Sequence, residues 1–148
     1  LHFSSKAQVV LGLIEEINDQ IVGSDVPRLT QVIADGDRQQ IREFHRRRFD
    51  QWPRIMPTIV AANAAAAADS EVQAAVDSWH DTAIREIVAG LDAAGRFTKK
   101  SRHARAVAAF AQLEYFSRRW ARHGWTGLGR AEALETLTDS WCFLLVDG

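Results

Sequence analysis

A chain of 148 residues, 47% apolar and 25% charged, has the size and balance of one domain able to bury a substantial core. Its 18 basic and 19 acidic side chains leave a formal net charge of −1, which excludes the overall positive balance of a protein that coats nucleic acid. The single cysteine, Cys142, excludes an internal disulfide framework and a cysteine-built metal site, and reads as a core thiol. No apolar run is long enough to span a bilayer and no signal-peptide pattern heads the chain, so the expectation is a soluble, cytoplasmic protein without a membrane partner.

Strand signals are scarce, with neither sustained two-residue alternation nor an Asn-Gly or Asp-Gly hairpin turn, whereas helical spacing recurs throughout. Val10, Ile14, Ile17 and Ile21 mark a first helix, capped at Ser4 or Ser5 and ended by Gly23. "RLTQVIADG" is at most a short helix closed by Gly36. A second long helix starts at Asp37, with Ile41, Phe44, Phe49 and Trp52 on one broad face, and Pro53 is expected to stop it. "PRIMPTIVAANAAAAAD" offers a third, which Pro57 either kinks or truly begins, and its alanine run reads as helix. A fourth begins at Asp69 or Ser70, places Glu71 in its first turn, carries Val72, Val76, Trp79, Ala83, Ile87 and Leu91 as a stripe, and closes at Gly95. The fifth covers about 101–123 and the sixth about 129–146, separated by the glycine-rich "GWTGLG". Both are apolar around much of their circumference, which calls for partners on two sides, and the second partner is expected to be another copy of the same helix pair. The fold class is therefore all-α, a multi-helix bundle.

Chemical signatures are few. The five histidines lie on separate segments without metal-ligand spacing, so no metal is expected. His80 and Asp81 in "WHD" point about 100° apart on a helix and read as surface residues. The absence of a nucleophile elbow, a phosphate-binding glycine loop and an obvious carboxylate pair argues against an enzyme, and no cofactor or catalytic residue is assigned. "REFHRRRF", residues 42 to 49, reads as the solvated face of an amphipathic helix, and Arg118, Arg119 and Arg122 read likewise. Aromatic residues on four helices either pack solidly or line an apolar cavity.

The opening "LHFSSKAQVVLGLIEEI" resembles the junction in TetR-family transcriptional repressors, where the recognition helix ends in Tyr-x-His-Phe-x-x-Lys and passes into a linking helix. His2, Phe3 and Lys6 match, and the tyrosine would fall just before Leu1. "DSEVQAAVDSWHDTAIREIVAGLDAAGRF" is similar to the family's long central helix and "GLGRAEALETLTDSWCFLLVDG" to its last. The loop before that last helix, with Trp141, resembles the EthR-type branch and its aromatic tube. Two polar residues typical of that tube would fall around Phe110 and Leu113, which are apolar here.

This resemblance implies that residues 1–6 are the tail of a helix-turn-helix head and 7–148 a ligand-binding and dimerisation domain. The implied protein is a homodimeric repressor, released from operator DNA when an apolar or aromatic small-molecule effector binds. Expected lining residues are Phe44, Trp52, Met56, Trp79, Phe110 and Trp141, with polar handles among Asn63, Gln112, Glu114 and Tyr115. His2 and Lys6 would touch DNA phosphate, and Phe116, Trp120, Leu134, Leu137 and Leu145 would form the dimer interface. The alternative is a helical protein–protein interaction module without DNA binding; a rival enzyme reading would rest on an acid such as Glu114.

Overall fold

In the computed structural model, which describes residues 5–20 and 22–147, the apolar periodicity becomes six α-helices: α1 (Ser5–Gln20), α2 (Leu29–Asp35), α3 (Arg38–Ala66), α4 (Ser70–Ala94), α5 (Lys99–His123) and α6 (Arg130–Cys142). A 3₁₀ turn at Val22–Ser24 follows α1, a π-helical turn at Phe143–Asp147 follows α6, and no strand occurs among the described residues. No described helix is long and apolar enough to cross a membrane. His2, Phe3, Ser4 and Ile21 lie outside the described residues.

Aspartate caps start the first two long helices. Asp37 accepts from the amides of Gln39 (2.7 Å) and Gln40 (3.2 Å), and Asp69 from those of Glu71 (2.9 Å) and Val72 (3.3 Å), which satisfies donors that a first turn leaves unpaired. The expected stop at Pro53 is corrected: α3 runs unbroken for 29 residues through Pro53 and Pro57. Both prolines are exposed and four residues apart. The two missing amide bonds thus fall on the solvent face, where water can satisfy the freed carbonyls of Phe49 and Pro53. An interior proline costs roughly 3 kcal/mol, but Phe49, Trp52, Ile55 and Met56 are all buried alongside, at roughly 1.5–3 kcal/mol each. Burial on the inner face outweighs the bonds lost on the outer one.

The core divides into two clusters. The larger gathers α2, α3, α4, α5, α6 and the closing turn around Trp52, Trp141, Ile33, Leu91 and Leu145. The smaller seats Ala7, Val10 and Ile14 of α1 against Ala62, Ala65 and Ala66 of α3 and Val72 and Val76 of α4. Half-buried Trp79 packs against both. The alanine run thus supplies the low-relief face on which α1 lies.

Two further expectations change. The last helix widens into a π-turn at Phe143 instead of continuing to Val146. The residues assigned to the dimer surface face inward: Leu134, Leu137 and Leu145 are 6%, 1% and 0% exposed, Trp120 packs on Trp52 with ring centroids 5.8 Å apart, and Phe116 is half-buried against the same core. The two-sided apolar pattern of α5 and α6 is met within one copy, because α5 contacts α3, α4 and α6 together. Large apolar side chains that do emerge from these elements are Val107, Tyr115 and Phe143.

The chain's two halves are joined by close contacts. Gly90 of α4 is buried against α2, and a Cβ there would stand 2.6 Å from Ile33 Cβ and 2.7 Å from the Thr30 carbonyl oxygen. Beyond α4, Arg96 donates to the carbonyls of Ile33 (2.6 Å), Ala34 (2.8 Å) and Leu145 (3.3 Å), and its guanidinium covers Gly36, the left-handed C-cap of α2. Arg105 stacks over the Phe97 ring at 3.8 Å and donates to the Leu144 carbonyl at 2.8 Å, which holds the closing turn against α5.

Gly90→Ala should lower stability by about 1–3 kcal/mol, since neither the Thr30 backbone nor the branched Ile33 can retreat without unseating α2. Urea unfolding checks this: an unchanged midpoint would mean that α2 does not need the close approach.

Candidate functional site

Between α3, α4, α5 and α6 lies a cavity of about 110 Å³. Its floor is a single stripe of α3, formed by Phe44, Arg48, Trp52, Ile55, Met56, Ile59 and Asn63. These residues recur at spacings of three and four, so they share one face only because the helix stays continuous past both prolines. Trp79, His80, Ala83 and Glu86 of α4, Phe110, Leu113, Glu114 and Ser117 of α5, and Trp141 of α6 complete the wall, with Leu29 of α2 and Arg118 at its edge. Eight residues singled out from the sequence, Phe44, Trp52, Met56, Asn63, Trp79, Phe110, Glu114 and Trp141, therefore meet at one site.

The aromatic residues serve two purposes. Phe49, Trp52, Trp120 and Trp125 form a filled cluster, with centroids 4.6 Å apart for Phe49 and Trp52 and 5.1 Å for Phe49 and Trp125. Phe44 and Trp141 stack at 5.8 Å and, with Phe110 and Trp79, leave the hollow. Trp141 is fixed by its indole N–H, which donates to the Ala109 carbonyl at 3.0 Å and so ties α6 to α5 inside the core. A hollow of this volume is somewhat smaller than the ~150 Å³ cavity that binds benzene, so one small ring is its upper limit and requires the wall to give slightly.

Charged groups on the wall arrive already paired. Glu114 lies 3.0 Å from His80 Nε2 and 2.9 Å from Arg118 Nη2, Arg48 meets the buried Asp25 at 2.8 Å, and Glu86 meets Arg28 at 2.9 Å. His80 and Arg48 correct the sequence reading. His80, Ala83 and Ile87 follow helical spacing, which puts the imidazole on the inner side of α4, 5.4 Å from the Phe110 ring. Arg48 is drawn out of the basic run by Asp25, whereas Arg38, Arg42 and Arg46 remain outside and pair with Asp139, Glu135 and Glu43. The i+4 relation of Arg48 to Phe44 and Trp52 was the available signal.

Not every expected residue reaches the site. Tyr115 is 68% exposed and lies with Arg119, His123 and Thr126 on the outer side of α5, so its assignment as a polar handle is corrected: one helical step from Glu114 turns it away. Gln112 does not line the cavity either. Lys6 is exposed at the start of α1, and His2 lies outside the described residues. Cys142 is buried in the core, and burial pushes its thiol up. Among the described residues no three His, Cys, Asp or Glu side chains are placed to hold a metal ion. No known family model, curated protein or solved structure matches the chain.

Behind the cavity wall, His45 is completely buried and neither ring nitrogen has a hydrogen-bond partner. It stands edge-on to Trp141 at 4.4 Å and to Phe44 at 5.6 Å, where an N–H over an aromatic face offers partial compensation. Burial, reinforced by the positive charge of Arg48, holds its pKa down to about 3. A base whose folded pKa is depressed binds fewer protons folded than unfolded. Its destabilising effect is absent above the unfolded value near 6.5 and grows as pH falls toward 3.

Replacing His45 by Phe should therefore flatten the acid side of the stability curve. Wild type should lose up to roughly 4 kcal/mol between pH 6.5 and 3 that the variant keeps. Denaturant titrations across that range check this, and parallel curves for the two proteins would contradict it.

Proposed function

We propose that this chain is the ligand-receiving and dimer-forming domain of a ligand-responsive transcriptional regulator of the TetR type, a repressor released from operator DNA when an apolar or aromatic small molecule enters the cavity. The observation that carries the reading is the aromatic hollow between four helices, linked through Trp79 to α1, in a chain whose sequence opens with the junction-like "LHFSSK". Trp79 forms part of the cavity wall, packs on both core clusters and donates its indole N–H to Asn18 of α1 at 2.9 Å. An occupant that shifts this indole shifts the partner of α1, and α1 leads to the DNA-reading head that the resemblance implies. Lys6, exposed on that helix, would contact phosphate and position the head without reading sequence.

The dimer contact is reassigned from the inward-facing residues to Val107, Tyr115 and Phe143, exposed by 40%, 68% and 63% on α5 and the turn that Arg105 holds beside it. Two-fold pairing there would set two heads at a fixed separation, as a palindromic operator requires. An effector acts only through its differential affinity for the DNA-bound and released forms, so DNA must weaken effector binding by the same factor.

The coupling is tested with protein carrying the DNA-reading head and an operator selected from random sequence. Small neutral aromatic compounds that raise the melting temperature should lower operator affinity. Asn18→Ala should keep the thermal shift while losing most of that effect on DNA; ligand binding with no effect on DNA in wild type would reject the regulator reading. Independently, Phe143→Glu should convert the dimer to monomer in sedimentation equilibrium with the helical content unchanged. A wild-type protein that is monomeric at all concentrations would leave the helical interaction module as the better account.

A further inference from the structure

The cavity's charged groups cancel one another before any ligand arrives. Two arginines, Arg48 and Arg118, and two glutamates, Glu86 and Glu114, line it, and each is matched at 2.8–2.9 Å: Arg48 by Asp25, Glu86 by Arg28, and Glu114 by Arg118. Between them the surface is aromatic and aliphatic. An ion entering such a space gives up part of its hydration and finds no unmatched counter-charge in return. A neutral polar group meets different conditions. The Asn63 amide offers both a donor and an acceptor, Glu114 keeps unused lone pairs beside its two partners, and the Ser117 hydroxyl lies at the same wall.

Resting on the reading of the cavity as a small-molecule receptor, we propose that it selects uncharged one-ring aromatic compounds bearing a hydroxyl or carbonyl, and rejects their anionic and cationic counterparts. Size sets the ring count, since about 110 Å³ is at most the space of one ring. Charge pairing sets the neutrality, and Glu114 is the residue on which it turns, because two basic side chains of the wall, His80 and Arg118, both face it.

The test titrates three probes of nearly equal shape, benzyl alcohol, benzoate and benzylammonium, into the 148-residue chain at pH 8, above the range in which free imidazole is charged. Tryptophan indole signals in NMR spectra report binding, since three of the cavity residues are Trp52, Trp79 and Trp141. Benzyl alcohol should bind at least about tenfold more tightly than either ion. Glu114→Gln, which strips Arg118 of its partner, should raise benzoate affinity about tenfold relative to that of benzyl alcohol. Arg118→Gln should do the same for benzylammonium, and it serves should the Glu114 variant fail to fold. Equal binding of an ion and the alcohol by wild type, or unaltered ion binding in both variants, overturns neutral selection while the receptor reading stands. If no probe moves the indole signals, the receptor reading itself falls and this proposal with it.

Discussion

The continuity of α3 across Pro53 and Pro57 is the constraint on which the remaining structure depends. This helix contacts α1, α2, α4, α5 and α6, and it contributes to both core clusters. From Phe44 to Asn63 its inner face carries the floor of the cavity, and from Ala62 to Ala66 the seat for α1. A bend at position 53 would rotate Ile59 and Asn63 away from Phe44 and Trp52, and would separate the receptor end of the helix from the end against which α1 rests. Placing both prolines on the solvent side keeps that rod intact, at a cost that its buried aromatic residues exceed.

Filled and hollow aromatic packing lie side by side around Trp52. On one side Phe49, Trp120 and Trp125 pack against it; on the other the Phe44–Trp141 stack and Phe110 line the cavity. The hollow persists because its ring planes are fixed from behind: Trp141 by the Ala109 carbonyl, Trp79 by Asn18, and Phe44 by the Trp141 stack. Rings held in this way do not collapse inward to fill a space of one small ring. The unpartnered ring nitrogens of His45, one layer deeper, burden stability in acid without facing the cavity.

Much of this was legible in the sequence. Caps such as Asp37 and Asp69, the terminators Gly36 and Gly95, and the 3.6-residue spacing of apolar positions act locally, so the helices they mark are read with little error. The aromatic lining was legible for the same reason, since large rings on inward faces of four helices have one place to converge. What escaped was set by neighbours distant in sequence. Whether α3 breaks at Pro53 depends on which face the proline occupies, and whether Arg48 is solvated depends on Asp25. The orientation of α5 and α6 depends on how many helices of the same copy surround them, a number that a helical wheel does not contain. Within the cavity the aromatic positions followed from pattern, while the matching of Glu114 with His80 and Arg118 required the register of α4 against α5.

The Arg96 side chain links three carbonyls from two segments more than a hundred residues apart in the chain, Ile33 and Ala34 at the end of α2 and Leu145 in the closing π-turn. Neither segment is long: α2 has seven residues and the turn five. Such short helices hold few internal bonds, and the same guanidinium serves free carbonyls of both, beside the Arg105 bond to Leu144 in the turn. Their amide hydrogens should therefore exchange with solvent together whenever Arg96 withdraws, although the two segments are far apart in the chain.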